Sequence, residues 1–275
     1  MNYRHIFHAG NFADVLKHLV LMLVLEHLRK KDKPFYVMDT HAGLGLYDLK
    51  SDQHKRTQES AEGVLKLLGD DVKCSDDLRR YIDLVKSFGV DKYPGSPSVI
   101  QKMLRAQDRA VVNELHPDDY QTLRWNFRDD GKVEVKNQDA YALIKSSMPP
   151  PIKRGLILVD PPFEKRNEFE LMLKGFWQGY KRWPIGTYAL WYPIKDEETI
   201  SMFYEALSES GIPKIMVAEL FIRPFEQGKF CGTGLVLVNP PWGLKETLER
   251  CLPELVDLLS LQDGSWSVFE LAGEA

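Results

Sequence analysis

At 275 residues, with 44% hydrophobic and 28% charged residues, the chain has the make-up of a globular protein able to bury a full core. Its longest apolar run, residues 19–25, falls well short of the ~20 residues that span a bilayer, and no signal-peptide pattern follows it. A cytoplasmic protein with no membrane partner is therefore expected. The net charge of −4 does not advertise nucleic-acid binding, although a basic face can hide within an acidic total. Three widely spaced cysteines, Cys74, Cys231 and Cys251, argue against a disulfide framework or a zinc ribbon.

Apolar residues at helical spacing predict a long helix over 12–28, capped by Gly10 or Asn11. Lys33-Pro34 ends it, and a strand over 35–39 runs into Thr40-His41-Ala42-Gly43-Leu44-Gly45. A polar stretch over about 46–92 reads as an inserted helical subdomain, with helices near 60–68 and 76–88. Ser96 reads as the N-cap of a helix through 106. Alternating units follow: strand 110–114, helix 117–127, strand 133–136, helix 140–146, strand 155–160 and helix 168–182. Strand 187–192, helix 197–208, strands 214–221 and 233–239, and a helix from Lys245 complete the pattern. Such alternation implies a mostly parallel sheet covered on both faces. The last two strands, joined by a Gly/Pro-containing loop, read as an antiparallel hairpin. The whole is expected to be one α/β domain over residues 1–275, in the Rossmann-like layout of class I methyltransferases that use S-adenosylmethionine.

In such a sheet ligands bind beyond the carboxyl ends of the strands. After the first strand stand Asp39, His41, Gly43 and Gly45, where glycine lets backbone approach a ligand closely. The run is neither a Gly-x-Gly-x-x-Gly fingerprint nor a Walker loop, which favours an adenosyl amino acid over a dinucleotide or a triphosphate. Glu114 after the second strand suits two ribose hydroxyls, and Asp139, before Ala140, suits an adenine amine. The fourth strand ends in Asp160-Pro161-Pro162-Phe163. The prolines fix φ and leave free carbonyls, and an aromatic face can stack on a base. Any one of these carboxylates alone reads more simply as a helix N-cap; all of them at strand ends in this order is harder to explain by capping. Lys165-Arg166 follows the proline loop closely enough to meet a nucleic-acid substrate. A second proline pair, Asn239-Pro240-Pro241-Trp242, follows the last strand and reads as structural. His5, His8 and His18 could in principle cluster around a metal, but no His-Glu-x-x-His and no nearby cysteine supports one.

Several segments together carry a resemblance. They are Tyr3-Arg4-His5-x-x-His8-Ala9-Gly10-Asn11-x-Ala13-Asp14-x-x-Lys17-His18, which reads as a cap over the cofactor and substrate mouth, Asp39-Thr40-His41-Ala42-Gly43, Tyr93-Pro94-Gly95-Ser96-Pro97, Asn113-Glu114-Leu115-His116-Pro117, the strand ending in Asp160-Pro161-Pro162-Phe163, and Ala189-Leu190-Trp191-Tyr192-Pro193. Over essentially its whole length the chain resembles the bacterial 23S rRNA adenine-N6 methyltransferase J family. The resemblance implies S-adenosylmethionine as donor and an adenine N6 in 23S rRNA as acceptor; the acidic net charge suggests naked or early-assembly RNA as the form bound, and a monomer is expected. By matching motifs, His18, His41, Ser96, Glu114, Asp139 and Ala140 contact the cofactor, Asp160 is catalytic and Tyr3 meets the RNA. Two positions depart from the pattern: Phe163 stands where tyrosine is frequent, and Ala140 where glycine is common. Members have also been described as proteins for using external DNA, for which these residues supply no nuclease chemistry. Guanine-N2 methylation and DNA adenine methylation remain open from the residues alone, as does a non-enzymatic nucleic-acid-binding role.

Overall fold

The protein is described by a computed structural model over residues 4–52, 57, 59–69, 71–261 and 263–274. Tyr3, expected to meet RNA, lies outside the described residues.

Helix α1 (Phe12–Arg29) begins where Asn11 accepts a hydrogen bond from the Asp14 amide through its side chain. Almost its whole circumference is buried, including Asp14, Lys17 and His18. Strand β1 (Tyr36–Asp39) follows. Between β1 and helix α3 (Ser96–Met103) the chain makes β2 (Leu46–Asp48), two short 3₁₀ turns (Glu59–Glu62 and Val64–Leu67), α2 (Asp76–Lys86) and β3 (Lys92–Pro94). Strands β2 and β3 pair antiparallel with Tyr47 opposite Tyr93, tying both ends of this segment together. The helix expected over 60–68 is split because Gly63 packs on the N-terminal segment. The Val64 amide donates to the Gly10 carbonyl, and a Cβ on Gly63 would lie 2.2 Å from that oxygen. Ser96 is the first residue of α3 and not its cap. Gly95 is the cap, because the first helical bond runs from the Val99 amide to the Gly95 carbonyl.

Beyond α3 the alternation holds: β4 (Arg109–Asn113), α4 (Pro117–Asn126), β5 (Val133–Lys136), α5 (Ala140–Ser147), β6 (Gly155–Val159) and α6 (Glu168–Tyr180). Then come β7 (Thr187–Ile194), α7 (Glu197–Ser208), β8 (Ile215–Phe221), β9 (Gly232–Val238), α8 (Leu244–Leu258) and β10 (Ser265–Ala272). Eight strands form one sheet in the order β10-β8-β9-β7-β6-β1-β4-β5. Strands β5, β4, β1, β6 and β7 are parallel, and β9 runs antiparallel between β7 and β8 as the hairpin reading predicts. Strand β10 was not foreseen. It pairs antiparallel with β8 at the sheet edge, and its half-buried residues blur the alternation by which strands are recognised.

The sheet separates two cores. One joins it to α1, α3 and α8 through residues such as Leu16, Val99, Leu237 and Leu252. The other joins it to α5, α6 and α7 through Leu143, Ile157, Phe176 and Phe203. Because β9 is antiparallel, Val238 pairs with Tyr188 at the start of β7. The Asn239-Pro240-Pro241-Trp242 run therefore lies at the opposite end of the sheet from Asp160. Its asparagine adopts φ +53 and donates to the carbonyls of Pro184 and Gly186, as a turn residue would.

Candidate active site

The order of β1 between β4 and β6 places the switch point of the sheet at the carboxyl end of β1. A cavity of about 340 Å³ opens there, within the size range of small-molecule sites. It is lined by His18, His41, Gly43, Ser96, Glu114, Asp139, Ala140, Asp160, Pro161, Pro162, Phe163 and Lys165. Residues drawn from six separate stretches of sequence thus meet at one place. Arg166 is exposed beside Lys165 but does not line the cavity.

Asp160 follows the last residue of β6. Its Oδ2 lies 2.5 Å from Nζ of Lys17, and the same ammonium lies 2.7 Å from Oδ1 of Asp14. Asp14 in turn bonds Nε2 of His5 at 2.9 Å and accepts from the Gly10 amide. Burial opposes the charge on Lys17, but the flanking Asp14 and Asp160 carboxylates outweigh it and hold the ammonium pKa above its ordinary value. Burial likewise opposes ionisation of Asp14, yet His5 and Lys17 hold its carboxyl well below the usual range. Among the described residues Asp160 Oδ1 has no partner, and it is not sealed off from the cavity. Lys17 therefore fixes one oxygen of Asp160 and leaves the other to meet a ligand.

Phe163 holds φ at +49, a conformation that costs a bulky residue on the order of 1–2 kcal/mol. Phe169 and Trp191 meet its ring edge-on at 4.8 and 5.7 Å between centroids, so packing holds the strained loop in place.

On the opposite wall, Gly43 turns at φ +60, its amide donating to Oε2 of Glu114 at 2.8 Å. The other oxygen of Glu114 accepts from the His116 amide, and burial raises the pKa of this carboxyl. Asp139 does cap α5, its Oδ1 accepting from the Ala142 amide, but it is also exposed to the cavity. The capping and ligand readings are therefore compatible. Asp39 is fully buried, and among the described residues its Oδ2 has no partner at full hydrogen-bond geometry, although the Ser96 hydroxyl lies near enough to favour its charged form. Burial, reinforced by Asp160, lifts its pKa to about 7. Burial also drives His41 down to about 4 and His18 down to about 3, so both imidazoles are neutral.

The three N-terminal histidines are separately engaged: His5 with Asp14, His8 with Glu59 and His18 with Tyr93. Among the described residues no helix is long and apolar enough to cross a membrane.

The family described as "Ribosomal RNA large subunit methyltransferase D, RlmJ" matches residues 32–271. The chain belongs to this family. It is 42% identical over 275 residues to the ribosomal RNA large subunit methyltransferase J of Haemophilus influenzae, covering 98% of each protein. It is 41% identical over 260 residues to the protein of the same name from Escherichia coli K12, covering 93% of this chain and 92% of that one. A crystal structure of a Legionella pneumophila protein superposes with a TM-score of 0.89 at 32% identity, over 96% of this chain and 98% of that one. The expected methyltransferase fold and family are thereby established.

The sequence places Asp14 and Lys17 in the N-terminal cap segment and Trp191 in a family motif without a role for any of them, and it does not single out Tyr141; these residues also line the cavity or buttress its loop. A signal for the first two was present. Asp14, Lys17 and His18 are the only polar residues in the otherwise apolar run from Phe12 to Leu25, and their spacing puts them on one face.

Proposed function

We propose that the chain transfers a methyl group from S-adenosylmethionine to N6 of a specific adenosine in 23S ribosomal RNA. The observation that carries this reading is the Asp160-Pro161-Pro162-Phe163 loop at the switch-point cavity, with one Asp160 oxygen tied to Lys17 and the other open. The family and the names of the relatives support the acceptor class.

The cavity fits the cofactor on its own chemistry. The backbone bends at Gly43 on the cavity wall, where a Cβ would lie 2.1 Å from the Tyr47 hydroxyl. Glu114 and Asp139 present acceptors for ribose hydroxyls and an adenine amine, and His18, His41, Ser96 and Ala140 complete the wall. Bound there, S-adenosylmethionine supplies an electrophilic sulfonium methyl group.

The chain's own residues prepare the acceptor. The lone pair of an adenine amine is delocalised into the ring, so the nitrogen is a poor nucleophile. Asp160 and the Pro161 carbonyl accept its two N–H bonds and favour a pyramidal nitrogen, aiming the lone pair at the donor methyl. Positioning and preorganised charge provide the acceleration. Lys17 keeps the Asp160 carboxylate in one orientation, and Phe163 offers its ring to the base. Lys165 and Arg166 lie on the exposed side of the loop, where the RNA backbone passes. A base within a helix cannot present this amine, so the target lies in a loop or is flipped out.

The test is methyl transfer to unmodified 23S rRNA and to DNA, with mass spectrometry of the digested nucleosides. N6-methyladenosine from RNA alone, lost in Asp160→Ala while cofactor affinity stays within about tenfold, is the expected result. N2-methylguanosine, or product from DNA alone, would replace the acceptor. An active alanine variant would remove Asp160 from the mechanism.

A further inference from the structure

A chain of buried hydroxyls runs from the β2–β3 segment to the cavity wall. Tyr81 on α2 and Tyr93 on β3 are 0% exposed, and His18 on α1 is 1% exposed. The Tyr93 hydroxyl lies 2.7 Å from Nδ1 of His18 and 3.4 Å from the Tyr81 hydroxyl. The Tyr93 ring also stacks on the imidazole, with centroids 5.5 Å apart. Among the described residues neither tyrosine hydroxyl has a further hydrogen-bond partner. Because His18 is neutral, one ring nitrogen carries a proton and the other accepts one.

Proton accounting selects the tautomer. If Nδ1 carried the proton it would donate to Tyr93, Tyr93 would donate to Tyr81, and the Tyr81 proton would be buried with no acceptor. Buried donors are rarely left so. In the opposite sense Tyr81 donates to Tyr93 and Tyr93 donates to Nδ1, and every buried proton is used. The imidazole proton then sits on Nε2, which among the described residues has no partner and is open to the cavity. A nine-tenths-buried ring is thus held with a single N–H aimed at the ligand.

The acceptor it faces is identified by charge. Tyr93 is followed by Pro94, Gly95 and Ser96, so the same stretch delivers the amino end of α3 to the cavity beside His18. A helix amino end and an N–H donor both favour an anion. Glu114 and Asp139, on the carboxyl ends of β4 and β5, disfavour one. The only anionic group of S-adenosylmethionine is its α-carboxylate.

We propose that the Tyr81–Tyr93–His18 chain fixes the Nε2–H of His18 as a donor to the cofactor's α-carboxylate, with Tyr93 and Tyr81 as positioning residues. The segment between β1 and α3 thereby takes part in cofactor selection. The inference rests on the cofactor reading above.

The experiment is calorimetric binding of S-adenosylhomocysteine and of 5′-methylthioadenosine, which keeps the nucleoside but lacks the amino-acid half. Tyr93→Phe should weaken S-adenosylhomocysteine about tenfold and leave methylthioadenosine within about twofold, with Tyr81→Phe giving a smaller loss in the same sense. Equal weakening of both ligands, or none for S-adenosylhomocysteine, overturns the assignment. Nitrogen-15 NMR of the unsubstituted protein judges the tautomer independently of variant folding: a proton on Nε2 is expected, and one on Nδ1 refutes the chain. If the unsubstituted protein binds neither ligand, the cofactor reading fails, while the tautomer spectrum still decides the hydroxyl chain.

Discussion

Lys17 sits between two carboxylates with 4% of its side chain exposed, against 1% for Asp14 and 13% for Asp160. Burying such charges is costly, and the arrangement holds because the Lys17 ammonium has a carboxylate oxygen on each side. Lys17→Met is expected to strip Asp14 Oδ1 and Asp160 Oδ2 of their shared cation and to cost about 3–5 kcal/mol in urea unfolding, with methyl transfer falling as well. A variant as stable as the parent would show that the ion pairs are dispensable for the fold. Asp39 predicts the opposite behaviour. Its folded-state pKa of about 7 lies above its ordinary 3.8, so the native state keeps a proton that the unfolded chain releases. Stability from this group is complete below the ordinary value and is lost as pH rises through about 7. Asp39→Asn should therefore gain on the parent protein as pH rises from 4 to 8, reaching on the order of a few kcal/mol. Parallel melting curves across that range would contradict this origin of the shift.

At the scale of elements, α1 shows what pattern reading catches and what it loses. Its span and its Asn11 cap follow from local spacing and were legible. The partners of its polar face were not, because Asp160 is 143 residues from Lys17 and Tyr93 is 75 from His18. The turn after β1 is similar. Glycine at 43 could be read as room for a ligand, but the atom that demands it is the Tyr47 hydroxyl on β2. Gly43→Ala is expected to cost about 1–3 kcal/mol from the left-handed backbone and the displaced tyrosine. It should also weaken cofactor binding, since Glu114 loses its hold on the Gly43 amide. Unchanged affinity in titration calorimetry would mean that the turn adjusts without consequence. The misplaced cap of α3 has the same cause: Gly95 packs against Gly45, its amide 2.8 Å from that carbonyl, a contact invisible to local propensity.

At the scale of the whole molecule, the sheet edge is closed by a strand that the pattern did not reveal. Strand β10 covers β8 from Ser265 to Ala272, and Ser267 donates to the buried Glu219, which also accepts from Tyr192 and Tyr204. Truncation after Gly264 is expected to bare the β8 edge and strip a donor from Glu219. It should lower the melting temperature and increase self-association over the full chain in light scattering. A truncated protein with unchanged size distribution would show that the edge is protected by other means.

The sequence by itself determined the alternation of strands and helices, the class of fold and the contents of each strand end, since those depend on periodicity and on residues a few positions apart. It therefore also determined which carboxylates, glycines and prolines reach the switch point. Only the tertiary structure decided how these groups are held: which oxygen of Asp160 Lys17 binds, which nitrogen of His18 meets the Tyr93 hydroxyl, and which strand closes the edge. Those depend on pairings across scores of residues, made between buried groups that must satisfy one another's charge and hydrogen bonds once water is excluded.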